Sequence, residues 1–320
     1  MVDVNHETHE IHEIISSKTD LDWTTGELRF RFFSFVYFVY FVVNIQRPRA
    51  PLRKACALRL TKTIASMRNI KLTLSYDGTA FSGWQTQPNF RTVQETLERA
   101  IEVITGEVVH AQASGRTDAG VHALGQVANF PSSTRLVPDV LLRAINAHLP
   151  PDLAVLECVD AAPDFHANKN AIRKLYRYVI LDSPVHSPFL HRYAAQSRHR
   201  LDAQKMARAS RCLLGKHDFR SFETDWPNRL TSIRTILHLT VNRVGEYIWI
   251  DVAADGFLYN MVRAIAGTLM NVGRGLWPEE KVAAILAAED RKVAGPTAPA
   301  QGLFLVRVTY ANAEGAASDG

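Results

Sequence analysis

The sequence predicts an α+β protein built of two sheet-plus-helix units. Three observations carry that expectation. Strand-type alternation of apolar and polar residues occurs in both halves of the 320-residue chain. Helical patterns with recognisable caps lie between the strands. The second half also holds two strand segments around a short glycine-containing turn, which is hairpin chemistry.

Ile70, Leu72, Leu74 and Tyr76 alternate with polar residues, as in a half-buried strand, and Asp77-Gly78 ends it. Thr92 and Glu95 form a capping box. Val93, Leu97, Ala100, Ile101 and Ile104 follow at helical spacing, and Gly106 closes that helix. Ser114 to Val121 reads as a loop and Gln126 to Phe130 as a strand. Pro138 opens a second helix, with Leu141, Leu142 and Ile145 on one face, ending before Pro150-Pro151. Leu153 to Val159 is the next strand.

In the second half, Tyr176, Tyr178 and Ile180 alternate as a strand. Leu201 to Leu214 reads as a basic amphipathic helix closed by Gly215. Leu237–Arg243 and Tyr247–Ala253 form the hairpin around Val244-Gly245-Glu246. Helices are expected over Phe257–Leu269 and Pro278–Ala288. Phe304, Val306, Val308 and Tyr310 alternate as a final strand.

The division that follows is 1–66 as an extension, either disordered or a start-site artefact, 67–171 as the N-terminal subdomain with the Asp118 motif, 172–311 as the C-terminal subdomain, and 312–320 as a small, polar, disordered tail. The extension differs from the rest. Phe32 to Val43 is a 12-residue run of mostly Phe, Val and Tyr, short of the roughly 20 residues of a spanning helix. Gln46 to Arg68 carries seven basic residues and no acidic one. A signal peptide would need its charged segment first and a small-residue cleavage site after, and a mitochondrial-type presequence fits the basic stretch but not the acidic start. The expectation is an overlong start, with Met67 as the first residue.

Composition narrows the class. The chain is 47% hydrophobic and 22% charged, which excludes a wholly disordered or collagen-like chain. Of 37 basic and 32 acidic residues, nine and seven fall in residues 1–66, which leaves the remainder at only +3. A polyanionic partner must therefore be met by local clusters. Candidates are Arg173, Lys174 and Arg177; Arg198 and Arg200; Lys205, Arg208 and Arg211. Cysteines at 56, 158 and 212 are distant from one another and form no CxxC pair, so a reduced cytoplasmic setting without structural zinc is expected. There is no GxxxxGK[ST], HExxH or GxSxG, and nothing asks for a metal or a nucleotide cofactor.

Four segments could carry chemistry. In Gly115-Arg116-Thr117-Asp118-Ala119-Gly120-Val121-His122, an acid lies between glycines, two residues after an arginine. Glycines allow a sharp turn and a close substrate approach, and a guanidinium favours the ionised acid. A turn-capping Asp with a surface arginine fits the same pattern. Tyr76 to Gln87 mixes aromatics, amides and glycines, which suits unpaired bases, but an ordinary loop with Phe81 and Trp84 in the core fits better. Arg173-Lys174-Leu175-Tyr176-Arg177-Tyr178 places its tyrosines on one strand face, to stack a base or to fill the core. In Gly256-Phe257-Leu258-Tyr259-Asn260-Met261-Val262-Arg263, the arginine stands apart from the apolar face of Leu258, Met261, Val262 and Ile265. It is either a buried ion-pair partner or a snorkelling surface residue.

Taken in order, these segments resemble the tRNA pseudouridine synthase A (TruA) family. The likeness runs from about Lys71 to Tyr310 through YDGTAFSGWQTQ, RTVQETLE, SGRTDAGVHALGQVANF, INAHLP, FHA, KLYRY, GKHDFRSF, GFLYNMVRAIAGTLMNVGRG, DR and TAPAQGLFLVRVTY. The extension is no part of that pattern. The resemblance implies the pseudouridine synthase fold, two sheet-plus-helix subdomains with a central cleft. It implies a cytoplasmic homodimer, without cofactor, metal or membrane, that isomerises uridines 38, 39 and 40 in the anticodon arm of tRNA. By that resemblance Asp118 is the catalytic acid, Tyr176 contacts the target base, and Arg116 and Arg263 support the acid in ion pairs.

The chemistry suits these residue types. Isomerisation breaks N1–C1′, turns the uracil and joins C5 to C1′, with no oxidation and no external group. A carboxylate can attack the sugar or the ring, or assist departure of the base from a sugar with oxocarbenium character. The base must first leave its stack, and an aromatic side chain can offset part of that cost. Competing readings are a non-catalytic RNA-binding protein of the same fold, an N-glycosidase, and a structural interaction module. The glycosidase usually needs a second acid or a metal to activate water, and no such cluster is visible.

Overall fold

The computed structural model describes residues 67–224 and 231–311. The expectations for residues 1–66 and 312–320 lie outside the described residues.

The first strand, β1 (Arg68–Tyr76), buries Ile70, Leu72, Leu74 and Tyr76 on one face, as its alternation requires. It is flanked on both sides by antiparallel partners, β3 (His122–Ser132) and β4 (Leu153–Ala161). A short β2 (Gln112–Ala113) also pairs with β3. Helix α1 (Val93–Thr105) begins where the Thr92 side chain accepts from the Glu95 amide, and it ends at Gly106 with φ 70°. It buries Val93, Leu97, Ala100 and Ile101. Helix α2 (Pro138–His148) adds Leu141 and Ile145 to the same core.

The second half contributes β5 (Ala171–Asp182), β6 (Ala195–Ser197), β7 (Gly215–Asp218), the hairpin of β8 (Ile233–Val244) and β9 (Tyr247–Ala254), and β10 (Leu303–Tyr310). The strands form one sheet in the order β4-β1-β3-β10-β5-β9-β8-β7, with β2 on β3 and β6 on β5. The two expected units are thus halves of a continuous sheet, and the 171/172 boundary falls at the start of β5. The last strand is what joins them. It runs parallel to β3, with Phe304 opposite His122, and antiparallel to β5, with Leu305 opposite Tyr176. Both β3 and β5 would otherwise present open edges, so one insertion satisfies two rows of backbone groups.

Two helices are shorter than their periodicity suggests, and a third is shifted along the chain. Helix α3 (Ala203–Ser210) tightens into a 3-10 turn over Arg211–Leu213, so the expected 201–214 helix is only part α-helical. Helix α4 (Met261–Gly273) starts four residues later than expected, because Asn260 sits at φ 61° in the left-handed region and breaks any helical run from Phe257. Helix α5 (Lys281–Ala288) starts three residues after Pro278. Helix α4 is buried nearly throughout. A Cβ at Gly267 would lie 1.8 Å from the Pro296 carbonyl oxygen, so glycine alone lets the 296–298 segment lie against this helix.

Candidate active site

Asp118 stands on the loop between β2 and β3, and that loop is held from several directions. The Thr117 hydroxyl meets the Tyr76 hydroxyl at 2.8 Å, and the Thr117 carbonyl accepts from the Trp84 amide at 3.0 Å. The Gly120 amide donates to the Phe81 carbonyl at 3.3 Å. The Gln126 side-chain amide donates to the Gly115 carbonyl at 2.8 Å and accepts from the Ser114 hydroxyl at 2.6 Å. Gly83, at φ 88°, would bring a Cβ to 2.7 Å from the Thr117 carbonyl oxygen. The Tyr76–Gln87 segment is therefore the brace of the acid loop, with Phe81 and Trp84 in the core. That is the structural reading favoured from its sequence.

Helix α4 brings Arg263 to the acid. Its Nη1 lies 3.5 Å from Asp118 Oδ2, with the two side chains 17% and 27% exposed. The guanidinium is fixed elsewhere as well: Nε donates to the Ala298 carbonyl at 2.7 Å and Nη1 to Asn260 Oδ1 at 2.7 Å. Arg263 is a partly buried ion-pair partner, and the snorkelling alternative does not hold. The left-handed Asn260 gains a role here, since the residue that delays the helix also anchors the arginine.

Arg116 is placed differently from expectation. Its side chain is exposed, and it makes no ion pair with Asp118. Residues 114–120 run through bends and a turn, not a strand, so the i, i+2 spacing did not become contact. The expected stabilisation of the ionised acid also needs correcting. Burial pushes the Asp118 carboxyl above its usual value, and the charge and hydrogen bond of Arg263 only partly oppose that. A single guanidinium at 3.5 Å does not offset the desolvation.

Tyr176 lies mid-strand on β5, 8% exposed. Its ring meets Phe257 edge-on, with centroids 4.9 Å apart and planes at 83°. Burial, followed by the neighbouring Tyr76 and Asp118, raises its phenol well above the ordinary value. The phenol is therefore protonated at neutral pH. Tyr178, two residues on and on the same face, donates to the Pro299 carbonyl at 2.8 Å. Two segments that flank the arginine, 257–260 and 296–299, thus also touch the tyrosine strand.

The basic clusters do not all face this site. Arg177 points to the other side of β5, where it pairs with Asp251 at 2.7 Å and lies 4.3 Å from the Trp249 ring centre. Arg208 is paired with Glu279 at 2.6 Å, and Arg200 lies 3.7 Å from buried Asp182. Lys174 shares the face of Tyr176. It donates to the Ser114 carbonyl at 2.6 Å and to Asn168 Oδ1 at 3.1 Å. Burial and the positive charge of Arg234 bring its pKa down to about 8. Sequence reasoning grouped Lys174 with its arginine neighbours; strand parity was the signal that separates them. Asn260 and Phe257 carry no sequence signal for their roles, since each depends on where the 257–260 turn lies.

Among the described residues, no cluster of three His, Cys, Asp or Glu side chains could hold a metal. No described helix is long and apolar enough to cross a membrane. A partly buried acid, one guanidinium and a buried aromatic make a site suited to nucleophilic attack, or to charge stabilisation, at a planar base and its sugar.

Comparison with known proteins gives a consistent picture. A family model described as tRNA pseudouridine synthase matches residues 73–169 and 209–311. The chain is 46% identical over 244 residues to the tRNA pseudouridine synthase A of Acetivibrio thermocellus, a match covering 76% of this chain and 100% of that protein. It is 47% identical over 243 residues to the protein of the same name from Moorella thermoacetica, covering 75% and 99%. Among solved structures, a chain of a Cbf5–Nop10–Gar1 complex aligns at a TM-score of 0.30 and 12% identity, over 73% of this chain and 57% of that one, which adds nothing to the argument.

Proposed function

Since the chain belongs to the tRNA pseudouridine synthase family, we propose that it isomerises uridines 38, 39 and 40 of the tRNA anticodon arm, with Asp118 as the catalytic acid. The observation that carries the reading is the meeting of Asp118 with Arg263 beside Tyr176, from three separate stretches of chain.

In this reading the target uridine leaves the stack and its uracil lies against Tyr176. The unstacking costs a few kcal/mol. Stacking on an aromatic side chain returns roughly 1–3 kcal/mol per base. The Asp118 carboxylate acts at C1′ or on the ring as N1–C1′ breaks. The detached uracil turns, C5 bonds to C1′, and the C5 proton leaves to solvent while N1 gains one. Arg263 holds the carboxylate in place and offsets its negative charge. Arg116, exposed and unpaired with Asp118, is free to meet the RNA instead. The two halves of the sheet act as two subdomains around this cleft. The enzyme works as a cytoplasmic homodimer, since an L-shaped tRNA outreaches one protomer.

The test is a tRNA tritiated at uridine C5. Isomerisation releases tritium and leaves the RNA intact. Free uracil in place of tritium release indicates an N-glycosidase, and neither product indicates binding alone. Asp118→Ala is expected to abolish release while RNA affinity stays within a few-fold. An active Asp118→Ala enzyme would overturn the assignment.

A further inference from the structure

Lys174 is a partly buried cation with no counter-ion among the described residues. Its two contacts are neutral oxygens, the Ser114 carbonyl at 2.6 Å and Asn168 Oδ1 at 3.1 Å, and no carboxylate among the described residues lies within ion-pair reach. Three other partly buried basic residues around β5 do meet carboxylates: Arg177 meets Asp251, Arg243 meets Asp182, and Arg263 meets Asp118. An ammonium has three N–H donors, and two are used here. The third remains for a ligand.

Position defines that ligand. Lys174 lies two residues before Tyr176 on the same strand face, about 6.6 Å along it at roughly 3.3 Å per residue. Its Ser114 contact begins the loop that carries Asp118 four residues later. Gly115 leaves room beside the ammonium: a Cβ there would sit 3.4 Å from Nζ and, its chain neighbours aside, would meet no other described atom within 4 Å. An unneutralised cation one nucleotide's reach from a base-stacking ring matches a backbone phosphate next to an extruded base.

We propose that the Lys174 ammonium binds the RNA phosphate adjoining the uridine turned into the Asp118 site, a role that rests on the reading of this site as an RNA uridine isomerase. The Lys174 pKa, lowered to about 8 by burial and by Arg234, agrees with a cation that has no anion beside it among the described residues. The contact serves the phosphate backbone and is independent of sequence, so it positions every target uridine in the same way.

The experiment measures affinity for an unmodified tRNA transcript with uridines at 38–40, across a salt series, for wild type, K174Q and K174R. Gln keeps a donor toward the Ser114 carbonyl, so the loop tether survives while the charge is lost, and thermal melting checks the fold. One lost phosphate contact makes the slope of log affinity against log salt shallower by about 0.7–0.9 in K174Q. K174R is expected to retain the wild-type slope. An unchanged slope in K174Q, with reduced turnover or stability, makes Lys174 a structural tether and overturns the proposal. If K174Q does not fold, the pH dependence of Lys174 acylation in wild type is read by mass spectrometry with and without tRNA. Phosphate contact moves the midpoint upward on binding; a midpoint that stays near 8 overturns the proposal. Wild-type tritium release is measured alongside. No release from wild type defeats the isomerase reading itself, whereas release with an unchanged K174Q slope defeats only the phosphate contact.

Discussion

Arg263 Nη1 lies 3.5 Å from Asp118 Oδ2, across 145 residues of sequence. The pair brings an acid and a guanidinium together at the candidate site. Yet the acid is held above its ordinary value, because burial outweighs the guanidinium. A nucleophilic role needs the carboxylate, so turnover is expected to fall as pH drops through the raised pKa. Removing Arg263 removes the influence that lowers it. R263Q should therefore shift the acid limb of the pH–rate profile to higher pH, besides lowering the plateau. Initial-rate tritium release between pH 4.5 and 8 checks this. An acid limb that stays in place separates Arg263 from the ionisation of Asp118.

Tyr176 offers both a ring and a hydroxyl. Tyr176→Ala removes the ring and is expected to weaken RNA binding by about 1–3 kcal/mol, or roughly 5- to 150-fold. Tyr176→Phe keeps the ring, so binding stays within a few-fold. If the hydroxyl handles the proton at uracil C5, Tyr176→Phe lowers tritium release about 100-fold or more. Its phenol stays protonated at neutral pH, so it can take that proton only by passing its own on in the same step. Full turnover in Tyr176→Phe rules out the proton role and leaves stacking.

Much of this arrangement was legible before any coordinates. Local signals suffice where a few neighbouring residues set the geometry. Thr92 and Gly106 bound α1 as their chemistry requires, and Gly245, at φ 61°, makes the β8–β9 turn. What was not legible depends on non-local pairing. Nothing near β10 in the sequence says that it fits between β3 and β5, because that choice depends on two open edges more than 100 residues away. Helix α4 starts late for a reason that periodicity cannot carry, since Asn260 adopts a left-handed conformation and its side-chain amide donates to the Thr224 hydroxyl, 36 residues away. At the site, the motifs identified Asp118, Tyr176 and Arg263 as candidates. Arg116 was attached to the acid by its place in the motif and by the family resemblance, yet its side chain is exposed. The balance between burial and charge at Asp118 is likewise a three-dimensional quantity, and a list of charged neighbours gave the wrong sign.

Gly267 ties fold stability to the site. Its missing Cβ admits the Pro296 carbonyl, and two residues later the Ala298 carbonyl accepts from Arg263 Nε. Gly267→Ala forces a displacement of backbone against backbone, with no flexible side chain to absorb it. The expected loss is about 1–3 kcal/mol of stability, the usual range for overpacking. Turnover should fall further than RNA affinity, because the segment that moves holds the arginine. Urea unfolding and tritium release on the same preparation check both parts. Normal stability with normal turnover would mean that the 296–298 segment can give way freely.

Asp77 links the end of β1 to the chain before β6. Its carboxylate accepts from the Thr79 amide and hydroxyl at 2.9 and 2.6 Å and from the Tyr193 hydroxyl at 2.8 Å, and lies 3.2 Å from His122 Nδ1. Burial alone would raise its pKa. His122, Thr79 and Tyr193 together outweigh that and hold it well below the usual carboxylate range. A depressed native pKa means that the unfolded chain takes up the proton first. The contribution to stability is therefore present above the unfolded value, about 3.9, and is lost as pH falls through the native one. D77N cannot titrate. The stability difference between wild type and D77N should be largest from pH 5 to 7 and shrink steadily below pH 4, as measured by urea unfolding at pH 6, 4 and 3. A difference that does not vary with pH would place the value of Asp77 in its shape and hydrogen bonds and not in its charge.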